Sequence, residues 1–330
     1  MDLLLSPFGN IVNSDVARLT GCSLGGCLDA VYIPSLSNRN PPFTSINLLL
    51  DYAEEVVFVF TDSFAPWVDA IKDDQIRCEK IIELPNDQKQ QLLFDFDNVI
   101  PSTRHRPSFD IPQKRNYALF DAKDRGYERI LLIDDDLRLS RVDIENGINA
   151  LFSGYSVAGA HVVDYPDCST IDHIERIVTK RANIISMTGS CLFMNVSRVS
   201  GRFPCAYNED LFFFMQQPCA NSVVSIGPIF QLRYEPWRDL SRVKHEQFGD
   251  LIYDAFKKRF LGIVDTPIDW MYEIADRIKR VKMVLSCTEC LLYRNALTAA
   301  IESILDIDIK SIVRFIEDCG FAFWVNKYFK

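Results

Sequence analysis

Three consecutive aspartates follow an apolar run in the segment ERILLIDDDLRLS, residues 128–140. The apolar residues 130–133 predict a buried strand, and Asp134, Asp135 and Asp136 follow it directly. Adjacent like charges repel one another, and a divalent cation that prefers oxygen ligands relieves this repulsion most directly. Because alternate residues of an extended segment face the same way, Asp134 and Asp136 can share one ion. The cluster therefore predicts a site for Mn²⁺ or Mg²⁺.

Other interpretations of the aspartates are open. They would also suit the first turn of a helix predicted to begin near Arg141, although one or two acids would be enough there. An EF-hand loop is excluded, since it needs a glycine at the sixth position, where Leu139 stands. Phosphatases of the haloacid-dehalogenase type carry a DxDGT motif at their first strand. In this chain Leu137 and Arg138 follow the aspartates instead, and the motif lies later than the first strand.

The elements before the aspartates alternate between strand and helix patterns. Strand patterns begin at Leu28, Glu54, Lys80 and Glu128, and helical patterns begin at Pro41 and Asp110. The second helix has Asp110 as its N-cap and Gly126 as its stop signal. Such alternation is typical of parallel strands joined by crossover helices. Ligands bind such sheets beyond the carboxyl ends of the strands, which is where the aspartates lie.

The second half of the chain predicts further strands and then helices. Strand patterns begin at Ser156, Asn183 and Ser222, in a sheet expected to be mixed. From about Pro267, apolar residues recur at three- and four-residue spacing, which indicates packed amphipathic helices. We therefore expect an α/β domain over residues 1–265 and a C-terminal helical extension over 266–330. The extension is interpreted as a helical cap or an oligomer contact, with a membrane-surface role as the alternative.

The composition restricts the kinds of partner and the cellular compartment that can be expected. The net charge of -9 and the pI near 5.1 argue against binding to a nucleic-acid backbone. No apolar stretch reaches the ~20 residues of a membrane span, and the first apolar run is too short for a signal peptide. The ten cysteines include a single CxxC, Cys287 to Cys290, and so lack the two CxxC pairs of a zinc site. We interpret them as mostly buried thiols of a cytoplasmic protein.

Several motifs together resemble the family 2 glycosyltransferases. KRNYALFDAKDRGYERILLIDDD, from Lys114, is similar to the pattern in which an Arg-Asn pair opens a helix and an aspartate-rich motif follows the next strand. YIPSLSNR from Tyr32 and FVFTD ending at Asp62 resemble the first two strands of the same GT-A fold. TGSCLFMNVSRVSGRFPCAYNEDLFFF from Thr188 resembles a glycine-containing strand that leads to a Glu-Asp pair. The resemblance spans about residues 28–250, and it implies a Rossmann-like mixed sheet flanked by helices.

The resemblance also implies roles for the matched residues. Asp134 and Asp136 would hold the metal of a nucleotide-sugar diphosphate, with His245 as a third ligand. Asp210 would be the general base, supported by Glu209 on a helix capped by Asn208. The donor site would contain Pro34, Arg39, Asp62, Arg115, Asp134, Asp135 and Gly189.

Basic residues near two of these positions suggest anion binding. Lys114 and Arg115 stand in the first turn of a helix, where the dipole disfavours cations, so an anion nearby would explain them. Arg242 and Lys244, close to His245, would neutralise phosphate.

We therefore predict a metal-dependent glycosyltransferase that moves a sugar from a nucleoside-diphosphate sugar, by default a UDP-sugar, to an acceptor hydroxyl, with inversion. The acceptor stays open. A nucleotidyltransferase is an alternative, although no glycine-rich phosphate loop is found between residues 28 and 39. A phosphatase using the same aspartates and a non-catalytic scaffold that binds nucleotide sugars are the others.

Overall fold

The computed structural model describes most of the chain from residue 111 onward and parts of the chain before it. The described residues are 10–11, 27–35, 47–60, 80–83, 111–163, 168–180, 187–217, 222–260, 263–264, 266–319 and 321. Arg39, Asp62 and the predicted helix starts at Pro41 and Asp110 lie outside them.

Nine strands of the described chain form one mixed sheet. They are β1 (Asn10–Ile11), β2 (Leu28–Pro34), β3 (Ala53–Phe60), β4 (Lys80–Glu83), β5 (Arg129–Ile133), β6 (Leu137–Arg138), β7 (Val157–Val163), β8 (Met187–Asn195) and β9 (Val223–Gln231). The order is β1-β9-β7-β8-β5-β2-β3-β4, and β6 pairs with β9 outside this path. Strand β8 runs antiparallel to both β5 and β7, whereas β5, β2, β3 and β4 are parallel. The predicted mixed α/β sheet is confirmed.

Helices flank this sheet. They are α1 (Ile111–Asp124), α2 (Arg141–Phe152), α3 (Thr170–Thr179), α4 (Glu209–Met215), α5 (Leu240–Phe260), α6 (Trp270–Ser286), α7 (Leu291–Leu305) and α8 (Ile309–Asp318). Residues 47–49 are also helical. Gly126 has a φ of 72° just beyond α1, a backbone conformation that suits glycine, so the predicted stop is confirmed. Helices α3 and α5 were not predicted from the sequence.

The apolar run before the aspartates is buried on both faces of the sheet. Ile130 and Leu132 join the cluster that contains α1, and Leu131 and Ile133 join the cluster that contains α2. Successive side chains of a strand point to opposite faces, so a strand covered on both sides needs a continuous apolar sequence. This is why β5 has no polar residue between Arg129 and its end.

The C-terminal helices pack against the same core as the sheet. Phe315 of α8 contacts Phe212 of α4, with ring centroids 5.1 Å apart, and Trp270 belongs to the same cluster. Helices α6 and α7 bury a further apolar cluster against α3 and α5. Packing is therefore continuous across residue 265, and the division there into two domains stays a prediction. None of the described helices has the length and apolar character to cross a membrane.

The described cysteines are all free thiols. Cys191, Cys205 and Cys319 are buried, whereas Cys287 and Cys290 are exposed. Burial raises the pKa of the Cys191 thiol. The expectation that most cysteines are buried therefore holds for only part of the described set.

Close packing of α5 generates a stability prediction. A methyl group at Gly249 would overlap the backbone carbonyl oxygen of Tyr207, and backbone cannot rotate away as a side chain can. We expect Gly249→Ala to lower the free energy of unfolding by about 1–3 kcal/mol, although alanine is the better helix former. Urea unfolding measures this, with Ser241→Ala at an exposed position of the same helix as the control. A loss no larger than the control's would contradict the prediction.

Candidate functional site

The three aspartates form the turn between β5 and β6 and do not cap α2. The N-cap of α2 is Ser140, whose side chain accepts from the backbone N–H of Asp143, while the Asp143 carboxylate accepts from the backbone N–H of Ser140. This reciprocal pair is a complete capping box. The helix-capping interpretation of the aspartates is therefore wrong, and their charge needs another explanation.

Each aspartate has a partner on a different element. Asp134 accepts two hydrogen bonds from Arg115 Nη2, at 3.0 and 3.2 Å. Asp135 accepts from the hydroxyl of Ser35 at 2.6 Å, just beyond β2. Asp136 accepts from Nε2 of Gln231, at the end of β9, at 3.2 and 3.3 Å. The chain thus separates the three adjacent carboxylates into three environments.

Arg115 joins the aspartates to the Glu-Asp pair of α4. This residue is 3% exposed, and its Nη1 donates to Glu209 Oε1 at 2.6 Å while Nη2 donates to Asp134. Burial acts to lower the pKa of Arg115, but the carboxylates of Asp134, Glu209 and Asp210 raise it overall. The anion expected beside this helix turn is therefore supplied by the chain itself.

Lys114 bonds to the residue that follows β2. Its buried ammonium donates to the backbone carbonyl of Ser35 at 2.8 Å, and the hydroxyl of Ser35 donates to Asp135. Pro34 ends β2 and is buried. The helix that carries Arg115 therefore also fixes the carboxyl end of β2 against the aspartates.

Gly189 lets α1 and α4 approach each other across β8. Its backbone N–H donates to Asp210 Oδ2. A Cβ atom at this position would lie 2.5 Å from Arg115 Nη1 and 2.5 Å from Asp210 Cβ, closer than such atoms pack. Only glycine leaves room for Arg115 and Asp210 together, which gives a physical reason for a glycine inside a strand.

The Glu-Asp pair begins α4, as predicted, but Asn208 does not cap it. Asn208 has a φ of 67° and makes no cap hydrogen bond; its side-chain amide donates instead to Asp250 Oδ1 at 3.0 Å. The predicted cap is therefore wrong, because the left-handed backbone turns this side chain toward α5. Asp210 is half-buried and also accepts from the backbone N–H of Leu211.

Burial separates Glu209 from Asp210 chemically. Burial raises the pKa of Glu209 to about 8, against the opposing effect of Arg115 and with a further contribution from Asp210. A buried carboxyl next to another acid binds its proton more tightly. Glu209 is thus tied into the buried pair with Arg115, whereas Asp210 is the more accessible acid.

The basic groups near His245 have partners within the chain. Arg242 donates to Glu246 at 2.7 Å and Lys244 pairs with Glu302 at 3.3 Å. His245 itself is buried on α5. Among the described histidine, cysteine, aspartate and glutamate side chains, no group of three is arranged to hold a metal ion. Asp134, Asp136 and His245 are therefore not assembled beforehand as a three-ligand site, and the role of His245 stays a prediction.

Sequence reasoning missed several residues that shape the site. Asn116 exchanges two hydrogen bonds with the backbone of Phe203, at 2.8 and 2.9 Å, and so ties the loop before α4 to α1. Gln231 was also missed, and Ser35 was covered only as part of the segment 34–39 expected to contact the donor. Both are polar residues at or just after the end of a strand at the same edge of the sheet, a signal that was readable in the sequence.

Comparisons with known proteins are limited to the fold. No family model and no curated protein matches the chain. A crystal structure of glucosyl-3-phosphoglycerate synthase from M. tuberculosis is similar, with 11% identity, a TM-score of 0.41, and coverage of 66% of this chain and 77% of that one. A protein from Desulfovibrio desulfuricans G20, assigned as a nucleotide-diphospho-sugar transferase, is similar with 10% identity, a TM-score of 0.34, and coverage of 62% and 82%. Both likenesses concern the fold, predicted above as GT-A-like, and give this chain no residue role, substrate or activity.

The buried Arg115 pair generates a pH-dependent prediction. Arg115→Met leaves Glu209 and Asp134 without their cation, so we expect a loss of about 3–5 kcal/mol in the free energy of unfolding at pH 9. Without Arg115 the pKa of Glu209, already raised to about 8, rises further. Up to that pH Glu209 stays protonated in both folded proteins, so its contribution to stability falls equally in both as pH rises from the unfolded pKa near 4.5. Above it only the wild type can ionise Glu209 beside Arg115, so the loss should be larger at pH 9 than at pH 6.

Urea unfolding at the two pH values measures the difference. Arg141→Met, which breaks a largely exposed pair with Asp51, is the control and should change stability far less than Arg115→Met at either pH. A loss for Arg115→Met that does not depend on pH would mean that Glu209 is not held by this pair.

Proposed function

We propose that the protein is a metal-dependent glycosyltransferase that uses a nucleoside-diphosphate sugar as donor. One observation carries the proposal: two groups of acids, residues 134–136 and 209–210, meet at the carboxyl end of β5. Arg115 bonds to both Asp134 and Glu209, and Gly189 bonds to Asp210. Since the aspartates do not cap α2, a site for a cation and a diphosphate is the explanation that accounts for their number.

The residues present fit a hard divalent cation. Asp134 and Asp136 offer carboxylate oxygens, which Mg²⁺ and Mn²⁺ prefer. Mg²⁺ commonly takes one or two protein carboxylates and completes its shell with water and substrate phosphate, so a group of three protein ligands is not required. When bound, the ion would stabilise the negative charge that grows on the departing diphosphate. His245 is retained as a proposed further ligand.

Asp210 is the proposed general base. It accepts hydrogen bonds from two backbone N–H groups, of Gly189 and Leu211, which fix its direction. A carboxylate can take the proton from an acceptor hydroxyl as that hydroxyl attacks the anomeric carbon. Glu209, bonded to Arg115, would support the base and hold it against the donor side. Direct attack by the acceptor inverts the anomeric centre.

In the proposed donor site the nucleotide lies near the carboxyl end of β2. Pro34 ends this strand, and Ser35 bonds to both Asp135 and Lys114. Arg39 and Asp62 are proposed donor contacts outside the described residues. A UDP-sugar is the default donor, and the acceptor is not specified by any feature of this site.

A first test concerns the metal. We expect Asp136→Asn to abolish the Mn²⁺-dependent increase in melting temperature that a UDP-, GDP- or CDP-sugar gives the wild type. The apo variant should stay folded, with a stability change of about 1 kcal/mol or less, since asparagine still accepts from Gln231 and one repelling charge is gone. Asp51→Asn, an exposed aspartate, is the matched control. An unchanged metal-dependent shift in the Asp136 variant would remove the cluster from the donor site.

A second test separates a transferase from a protein that only binds nucleotide sugars. A general base has no part in holding the donor, so Asp210→Asn should keep donor affinity within a few fold. Transfer should fall by about 10²–10⁴-fold, the usual scale for loss of a general base. Donor affinity is measured by calorimetry and transfer by release of the nucleoside diphosphate in the presence of acceptor.

Each outcome of this second test supports a different role for Asp210 or a different class of protein. Loss of donor binding in Asp210→Asn would place the residue in the donor shell and make Glu209 the better candidate base. Full transfer by the variant would contradict the inverting mechanism. Binding without transfer by the wild type, over a panel of acceptors, would favour the scaffold. Release of pyrophosphate when the wild type is given a nucleoside triphosphate and a sugar 1-phosphate would favour a nucleotidyltransferase.

A further inference from the structure

The residue two positions before the proposed base has an unusual backbone conformation. Asn208 has φ 67° and ψ 29°, in the left-handed region that side chains other than glycine rarely adopt. Asparagine tolerates this region better than most residues, but surrounding contacts still have to hold it there. Because α4 has only seven residues, the direction of the turn at Asn208 decides where Glu209 and Asp210 point.

Helix α5 holds this turn from two sides. Gly249 packs directly against the backbone carbonyl of Tyr207, so closely that a methyl group would not fit. The next residue, Asp250, accepts a hydrogen bond from Asn208 Nδ2 at 3.0 Å through Oδ1. The backbone before Asn208 and the side chain of Asn208 are therefore both fixed by consecutive residues of one helix.

Asp250 is in turn fixed by a helix from the predicted C-terminal extension. Its Oδ2 accepts from Arg277 Nη2 of α6 at 2.5 Å, and both side chains are buried. Arg277 also donates to Asp254 at 2.6 Å and to Gln247 at 2.9 Å, so its guanidinium has a single orientation. Burial raises the pKa of Asp250 to about 7, and Arg277 opposes this rise by favouring the charged form.

We propose that Arg277 and Asp250 are positioning residues for Asp210. They act through Asn208. The Arg277–Asp250 pair fixes the side-chain amide of Asn208, and the left-handed turn there sets the direction of the first residues of α4. Asp210 is thereby oriented toward Gly189 and the donor side. The geometry is independent of the reaction, whereas the effect on transfer rests on the proposed function. The C-terminal helices would thus contribute to the site without touching a substrate.

The hydrogen bond from Gly189 N–H to Asp210 provides a readout that needs no substrate. Amide hydrogen exchange at Gly189 reports how often this bond opens. The backbone N–H of Asn195, at the other end of β8, donates to the carbonyl of Ser156 at 2.9 Å and is a reference outside the unit formed by Arg115, Asp134 and α4. A network that only stabilises the helices would change both amides together, through global unfolding.

The test uses Asn208→Gly. Glycine keeps the left-handed backbone and lacks the side-chain amide that donates a hydrogen bond to Asp250. We expect exchange at Gly189 to accelerate about tenfold with Asn195 unchanged, the scale of one lost hydrogen bond. Transfer should fall about 10- to 100-fold in kcat, as for a small misplacement of a catalytic group, with donor affinity unchanged. Arg277→Met should give the same local effect at Gly189, and adding Asn208→Gly to it should produce no further acceleration.

A matched control breaks a different buried ion pair. Glu273→Gln weakens the pair with Arg259 in which both side chains are 2% exposed, also between α5 and α6. This variant should lose stability without any selective change at Gly189. Exchange at Gly189 that stays at the wild-type rate in Asn208→Gly, or that changes equally in Glu273→Gln, would overturn the proposal. If the selective exchange effect is found but the wild type transfers no sugar, the positioning of Asp210 by Arg277 and Asp250 is supported and the proposed function is contradicted.

Discussion

The interaction on which the site depends is the buried guanidinium of Arg115. A charged group at this depth is tolerated only with partners, and it has two, Asp134 from the turn after β5 and Glu209 from the start of α4. These residues lie 19 and 94 positions away in sequence. The two ion pairs therefore join α1, the aspartate turn and α4 into one unit. If one of these elements moved, a buried charge would lose its partner.

Close backbone packing makes this unit rigid. Gly189 allows Arg115 and Asp210 to meet over β8, and Gly249 allows α5 to press on the backbone of Tyr207. At both positions glycine has no side chain, so two elements can approach closely. Residues held by backbone contact and charge together have little freedom to reorient, which is what a site that must stabilise a developing charge needs.

The elements around the aspartates could be predicted because their signals are local. The continuous apolar run of β5 indicated burial on both faces, and its carboxyl end located the cluster. The capping box at Ser140 and Asp143 was equally local and was overlooked, although Ser-x-x-Asp is a known helix start. The turn at Asn208 could not be predicted, since its conformation depends on Asp250, 42 residues later, and no short pattern encodes that contact.

The buried ion pairs of the C-terminal helices fit a role in orientation better than one in stability. Arg277 and Arg280 bind Asp250, Asp254, Asp172 and Glu175, which joins α6 to α5 and α3. Apolar residues in these places would stabilise the helices at least as well, because buried charges repay much of their attraction in lost hydration. Apolar contacts, however, allow a helix to slide or rotate, whereas a fork of directed hydrogen bonds does not. We interpret the network as the feature that fixes the position of α5, and with it the turn that precedes Asp210.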